Sequence, residues 1–252
     1  DGTRTFLVGS ARPAVIDPGP ADAAHLDALL AALGGVRPVA ILLTHAHPDH
    51  AAAAPALAER TGAPLRMGRG SLAQVPGARA LADGEGVDTD AGLLIALVTP
   101  GHAPEHLCFL WTGGDAPPGG ALFAGDHFMG GSDTTLVSPP EGDLAAYLRS
   151  LDRVAAVAPG IVYPAHGPPL TDPAAAVERY RAHRYARIGQ VMEALRGRGP
   201  SPAGALVDAV YGPGLPPALR PAAAGSVAAV LDYLLAAGRV RALDGGTYTL
   251  AE

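Results

Sequence analysis

The run Thr44-His45-Ala46-His47-Pro48-Asp49-His50 constrains this chain more than any other stretch of it. Three of the nine His fall inside those seven positions, together with a carboxylate. The apolar "PVAILLT" that leads into them reads as a strand buried on both faces, and it delivers the chain to His45. Residues two apart on a strand end point the same way, so His45 and His47 can grip one ion together. Asp49 and His50 lie past the turn and reach a neighbouring position. These four side chains do not complete a metal site alone, so the rest of the chain has to supply donors.

One tetrahedral zinc needs about four ligands including its water. Two ions about 3.5 to 4 Å apart need six or seven protein ligands. The layout of apolar strand followed by a polar residue recurs at "GLLIALVTPGH", "ALFAGDH" and "GIVYPAHGP". These segments add His102, Asp126 and His166. Strands that deliver polar groups to one sheet edge are how α/β and α+β folds build a site. Upstream, "TRTFLVGS" and "RPAVIDPG" read as two strands, and "ADAAHLDALLAAL" as an amphipathic helix closed by Gly34 and Gly35. "HAAAAPALAERTG" reads as a helix for which Asp49 is placed as the cap.

Composition shifts after Leu170. Helices are expected within 172–195, 201–212 and 217–238, followed by a hairpin turning at Asp244-Gly245-Gly246. Three helices and a hairpin form a winged-helix pattern. The expected division is therefore a catalytic domain over 1–172 and a helical, winged-helix-like domain over 173–252.

At 252 residues and 48% hydrophobic, the chain can bury a full core. All 18 basic residues are Arg, and the net charge of -6 disfavours a general nucleic-acid binder while leaving RNA open. The single Cys108 rules out a disulfide framework and a Cys-rich zinc module. Within apolar "LCFLW" it reads as a packed core residue. No apolar run is read as reaching the roughly 18 to 20 residues of a bilayer span, so no membrane partner is expected. No signal peptide is seen and a cytoplasmic location is expected, although the strand-like opening "DGTRTFLVG" leaves residues upstream open.

"THAHPDH", "TPGH", "GD" and "AHG", in this order, resemble the metallo-β-lactamase superfamily. "GTRTFLVG" followed by "AVIDPGP" is also similar to its first strands, so the likeness spans nearly all of residues 1–170. "HRYARIGQV" and the wing after it resemble the β-lactamase-like protein 2 branch, which carries an acidic residue where this chain has Gly189. The resemblance implies an α/β (α+β) αββα sandwich with a dinuclear site at one sheet edge. It assigns His45, His47 and His102 to a first metal, Asp49, His50 and His166 to a second, and Asp126 to the bridge. Two divalent ions are implied, zinc first, with iron or manganese accepted by the same donors. A ligating His usually donates its other N–H to an outer partner, and Asp17, Thr44 and His106 are the candidates for that outer layer. His127 reads as a neighbour of the bridge, and Asp133 and Thr134 as pocket lining. His25 and His183 read as polar surface residues.

The chemistry implied is metal-assisted hydrolysis in which Asp49 orients the attacking water. No nucleophile motif such as GxSxG competes with it. A small-molecule ester, thioester or lactone is the favoured substrate. A phosphodiesterase or endoribonuclease of the same superfamily is the alternative, and a mononuclear-iron persulfide dioxygenase is a third. A DNA-binding regulator is disfavoured, because "AAAGSVAAVLDYLLAAG" offers no basic residue and carries Asp232. Arg181, Arg184 and Arg187 instead recur along one face of the preceding helix. They form either a solvated stripe or a face that docks at the pocket mouth and offers charge to an anionic substrate. A homodimer through the C-terminal module is compatible with this reading.

Overall fold

The computed structural model describes residues 2–131 and 134–251. The first sheet holds β1 (Phe6–Val8), β2 (Ala14–Ile16), β3 (Ala40–Leu42), β4 (Leu65–Met67) and β5 (Arg79–Ala80), in that order. β1 and β2 form an antiparallel hairpin and the remaining pairs are parallel. α1 (Ala23–Leu33) connects β2 to β3; it starts where the Asp22 side chain accepts from the His25 amide. It ends at Gly34, whose φ of 57° is left-handed and suits the residue without a Cβ. The second sheet, ordered β10-β9-β8-β7-β6, comprises β6 (Gly86–Thr89), β7 (Gly92–Val98), β8 (Leu107–Thr112), β9 (Ala121–Gly125) and β10 (Ile161–Pro164).

Period-two alternation explains the layering. Ala14, Ile16, Ala40 and Leu42 point inward and pack with Leu94, Ala96, Phe109 and Phe123 of the other sheet. Val15, Ile41 and Leu43 point outward against Leu29 and Leu33 of α1. On the second sheet, Cys108, Leu122, Ala124 and Val162 face outward. They pack on α4 (Leu144–Val157), which forms the β9–β10 crossover, and on the C-terminal helices. The layers are thus helix, sheet, sheet, helix, as the motif resemblance implies.

The C-terminal region runs α5 (Pro173–Arg198), β11 (Ser201–Pro202), α6 (Ala203–Tyr211), α7 (Arg220–Ala236), β12 (Val240–Leu243) and β13 (Thr247–Leu250). β12 and β13 form the expected hairpin, with Gly245 and Gly246 at φ of 73° and 70° in its turn, and β11 pairs on the outside of β13. This is a winged helix. Its helices share one continuous core with α4 and the outer face of the second sheet.

Two expectations need correction. The helix expected from His50 is broken into α2 (Pro48–Ala51) and α3 (Ala54–Thr61). Pro48 and Pro55 each sit in a first turn, and Pro cannot donate inside a continuing helix. Asp49 therefore lies within the first turn of α2, and His47 occupies the cap position without a side-chain cap bond. The stretch Pro217–Ala236 does reach a span-like 20 residues. It contains Arg220 and Asp232, and it spends Val227, Val230, Leu231 and Leu234 on the shared core.

Candidate metal centre

Five of the seven candidate donors come from loops after strands and two, Asp49 and His50, from the short helix α2; they converge in two groups. His45, His47, His102 and Asp126 form one, and Asp49, His50 and His166 the other; within each, the donor atoms lie within 4.8 Å of one another. In the first group, His45 Nε2 is 2.9 Å and His102 Nε2 is 3.1 Å from His47 Nδ1. In the second, Asp49 Oδ2 is 3.3 Å from both His50 Nε2 and His166 Nε2. Asp126 addresses both groups. Its Oδ1 lies 3.3 Å from His50 Nε2 and His166 Nε2, and its Oδ2 lies 3.6 Å from His102 Nε2.

The ring atoms turned away from the centre are held by the fold. His102 Nδ1 donates to the Leu136 carbonyl at 2.8 Å, and His47 Nε2 meets the Glu141 carboxylate at 2.9 Å. His50 Nδ1 donates to Asp17 Oδ2 at 2.9 Å. Asp17 also accepts from the Thr44 amide and hydroxyl at 2.8 and 2.7 Å, and Thr44 Oγ1 lies 3.0 Å from His45 Nδ1. Buried Asp17 adopts a left-handed φ of 48°, an unfavourable backbone for a non-glycine residue. With their outer nitrogens engaged, these imidazoles direct the inner nitrogen to the centre, which is how proteins orient metal-binding His.

His106, expected in that outer layer, behaves differently. Its Nδ1 pairs with Thr99 Oγ1 at 3.0 Å, and its ring packs 5.3 Å from His45 without bonding to any of the seven donors. His127 is buried against Phe128 and Tyr147 and is pulled down to about 3 by that burial. Cys108 is buried and its thiol is pushed up to about 12 by burial, which suits core packing and not nucleophilic attack. Thr134 lines the cavity beside His166, whereas Asp133 lies outside the described residues.

Sequence reasoning missed Glu105 and Glu141. Glu105 is buried; its carboxylate accepts from the Ala46 amide at 2.9 Å and from Ser71 Oγ at 2.8 Å. It thereby ties the His-Ala-His turn to the loop after β4. Gly68 makes room for that loop, because a Cβ there would sit 1.8 Å from the Glu105 carbonyl oxygen. The one available hint was an acid between two His in "HAPEH"; nothing in the local sequence marks Glu141. Replacing Glu105 by Ala leaves the Ala46 and Ser71 donors without an acceptor, at a cost of about 1 to 3 kcal/mol. Thermal denaturation should show this loss for Glu105→Ala and a smaller one for Glu105→Gln, which keeps an acceptor oxygen.

The electrostatics divide the centre in two. Burial, then the neighbouring His50, His106, His102 and His47, hold His45 well below the ordinary imidazole value. His102 is lowered too, chiefly by burial. These imidazoles stay neutral and keep lone pairs to donate. For His50, burial alone would lower the value, but the charge of Asp17, the hydrogen bond to it and the nearby carboxylates of Asp126 and Asp49 raise it to about 12. The His50 ring beside it, outweighing burial, keeps Asp49 well below the carboxylate range. Buried His50 Nε2 and Asp126 Oδ1 face each other at 3.3 Å without a well-formed hydrogen bond. Two atoms without a partner at the meeting point of seven candidate imidazole and carboxylate donors fit a divalent cation, which would take the place of the proton on His50.

Fold and side chains together define an αββα protein with two adjoining groups of candidate metal donors at one sheet edge. The chain belongs to the metallo-β-lactamase superfamily, whose model matches residues 2–166, and residues 203–247 match the β-lactamase-associated winged helix domain. It is 34% identical over 199 residues to the lactamase-like protein adaB of Aspergillus niger, covering 77% of this chain and 59% of that protein. It is also 34% identical over 221 residues to an atrochrysone carboxyl ACP thioesterase of Aspergillus chevalieri, covering 84% and 68%. Among solved structures, a metallo-β-lactamase family protein of Thermus thermophilus, TTHA1429, superposes with a TM-score of 0.80 at 25% identity, covering 98% of this chain and 93% of that one. TTHA1623, solved in a di-iron-bound form, gives 0.55 at 30% identity, covering 67% and 89%.

Proposed function

We propose that this protein is a metal-dependent hydrolase of thioesters, with two divalent ions, zinc in our reading, held by the seven donors. The observation that carries the reading is the pair of donor groups joined by Asp126. Support for a thioester comes from two relatives that are each named an atrochrysone carboxyl ACP thioesterase. When bound in such a donor set, divalent ions supply Lewis acidity and make water nucleophilic near neutral pH.

The protein's own contribution is placement. His45, His47 and His102 present imidazole nitrogens from the segments that follow β3 and β7, and Asp126 spans the two groups. Asp49 Oδ2 is engaged by Thr3 Oγ1 at 2.8 Å and approached by His50 and His166. Its Oδ1 takes no part in those contacts, so it is the oxygen that accepts a hydrogen bond from the attacking water and holds its proton. The Asp49 side chain is about half exposed, so substrate reaches it from solvent. Asp49→Asn should therefore lower kcat more than it raises KM in steady-state assays; a change confined to KM would leave Asp49 a substrate contact only.

A panel of thioesters, lactones, a β-lactam and RNA, assayed on metal-loaded protein, tests the reading. Thioester turnover well above the other substrates is expected, and preferential RNA cleavage would replace it with the phosphodiesterase alternative. Elemental analysis of protein purified without added metal distinguishes zinc from iron, the metal in one of the structural relatives.

A further inference from the structure

A second cavity, of about 410 Å³, lies between α5, the α6–α7 region and the loop at Thr134–Leu136. It shares Thr134 and Leu136 with the cavity that contains His166, so it opens beside the metal centre. Leu136 also carries the carbonyl that holds His102. One wall carries the guanidinium groups of Arg184 and Arg187 with the imidazole of His183, and another is apolar, formed by Leu136, Leu215 and Leu219. Leu136 and Leu219 are exposed there, at 41% and 54%. No carboxylate is among the described lining residues, although the chain as a whole carries a charge of -6.

The basic groups on this wall are incompletely satisfied. His183 Nδ1, Arg184 Nε and Arg187 Nε are all buried and without a hydrogen-bond partner among the described residues. Arg184 is 5% exposed, donates to the Thr135 carbonyl at 2.6 Å and lies 4.9 Å over the Tyr147 ring. Arg187 donates to the Val210 carbonyl at 2.9 Å and stacks on Tyr211. Neither Arg makes an ion pair among the described residues. Arg181, on the same stripe, pairs with Asp152 and Glu178. The field at the cavity is positive enough to be felt by His183, which burial and then Arg184, Arg187 and Arg179 pull down to about 4. A buried guanidinium without a carboxylate is costly unless an anion compensates it.

We infer that this cavity is an anion subsite of the catalytic centre, taking the phosphate ester on the flexible, partly apolar arm that bears the thioester. Two guanidinium groups, with no carboxylate among the described lining residues, suit the full negative charge of a phosphate ester. The apolar wall suits the arm itself. A polynucleotide would instead call for a basic track outside the cavity, and α7 offers none beyond Arg220 at its start. The inference rests on the thioester reading for the identity of the arm, but its test does not.

Calorimetric titration of the intact, metal-free protein with phosphopantetheine and with its dephosphorylated form, pantetheine, measures the subsite without turnover. The phosphorylated arm should bind about tenfold tighter or better. Arg187→Gln and His183→Gln should each reduce that preference, and Arg187→Lys should retain part of it. The His183 variant removes no side-chain hydrogen bond among the described residues, and melting temperatures identify any variant that fails to fold. Equal binding of the two arms by the unaltered protein would overturn the inference, as would tighter binding of a phosphorylated dinucleotide. Phosphate preference without thioester turnover retires the proposed function alone; turnover without the preference retires the subsite alone.

Discussion

Asp126→Ala should reduce the metal content of the purified protein from about two ions per chain toward one or none, and hydrolytic activity should fall with it. Among the described residues no other side chain joins the two donor groups in this way, since Oδ1 faces His50 and His166 while Oδ2 faces His102. An anionic bridge is what allows two dications to sit close together, because it offsets their mutual repulsion. Removing it also leaves His50 Nε2, already without a well-formed hydrogen bond, facing a void. The fold should survive: Asp126 follows β9, whose Phe123 and Ala124 remain packed in separate clusters. Elemental analysis alongside near-ultraviolet circular dichroism therefore separates a lost ion from a lost structure. A folded variant that retained two ions and full turnover would remove Asp126 from the bridging position.

The candidate donors are legible in the sequence because they cluster in the segments that follow apolar strands, Asp49 and His50 in the short helix after β3. A strand buried on both faces has only its end available for polar residues, so the side chains at the sheet edge stand out. The winged helix is legible for a similar reason, its wing being marked by Asp244-Gly245-Gly246. Asp17 and Thr44 are visible as neighbours of the motif, and their shared hydrogen bonds account for their positions. Contacts between distant segments are not legible. Glu141 reaches His47 across 94 positions, and Glu105 reaches Ala46 across 59. Short strands such as β4 and β5 escape a sequence reading because two or three residues carry no measurable period. His183 reads as a surface residue in the sequence and is only partly covered in the structure; the cavity it lines is invisible in the sequence because the fold of α6 and α7 creates it.

A chain ending at residue 172 should fail to fold cooperatively, and this second large effect follows from where the winged helix packs. Val177, Tyr180, Ile188, Val191 and Leu195 of α5 share a core with Tyr147 and Leu151 of α4 and with Cys108, Leu122 and Val162 of the second sheet. Burying one such side chain contributes about 1.5 to 3 kcal/mol. Losing the whole layer therefore exceeds the roughly 5 to 15 kcal/mol that stabilises a typical domain. The loss also reaches the metal centre. Tyr180 Oη accepts from the Met129 amide at 2.6 Å, and Arg184 holds the Thr135 carbonyl next to Leu136, whose own carbonyl orients His102. The C-terminal module thus acts as a structural wall of the site, and its helices spend their apolar faces on that wall. Consistent with that role, the intact protein should show no salt-sensitive affinity for DNA in anisotropy titrations. A fragment of residues 1–172 that melted cooperatively and kept its metals would show the layer to be dispensable. Tight, sequence-selective duplex binding by the full chain at physiological salt would assign the winged helix to DNA instead.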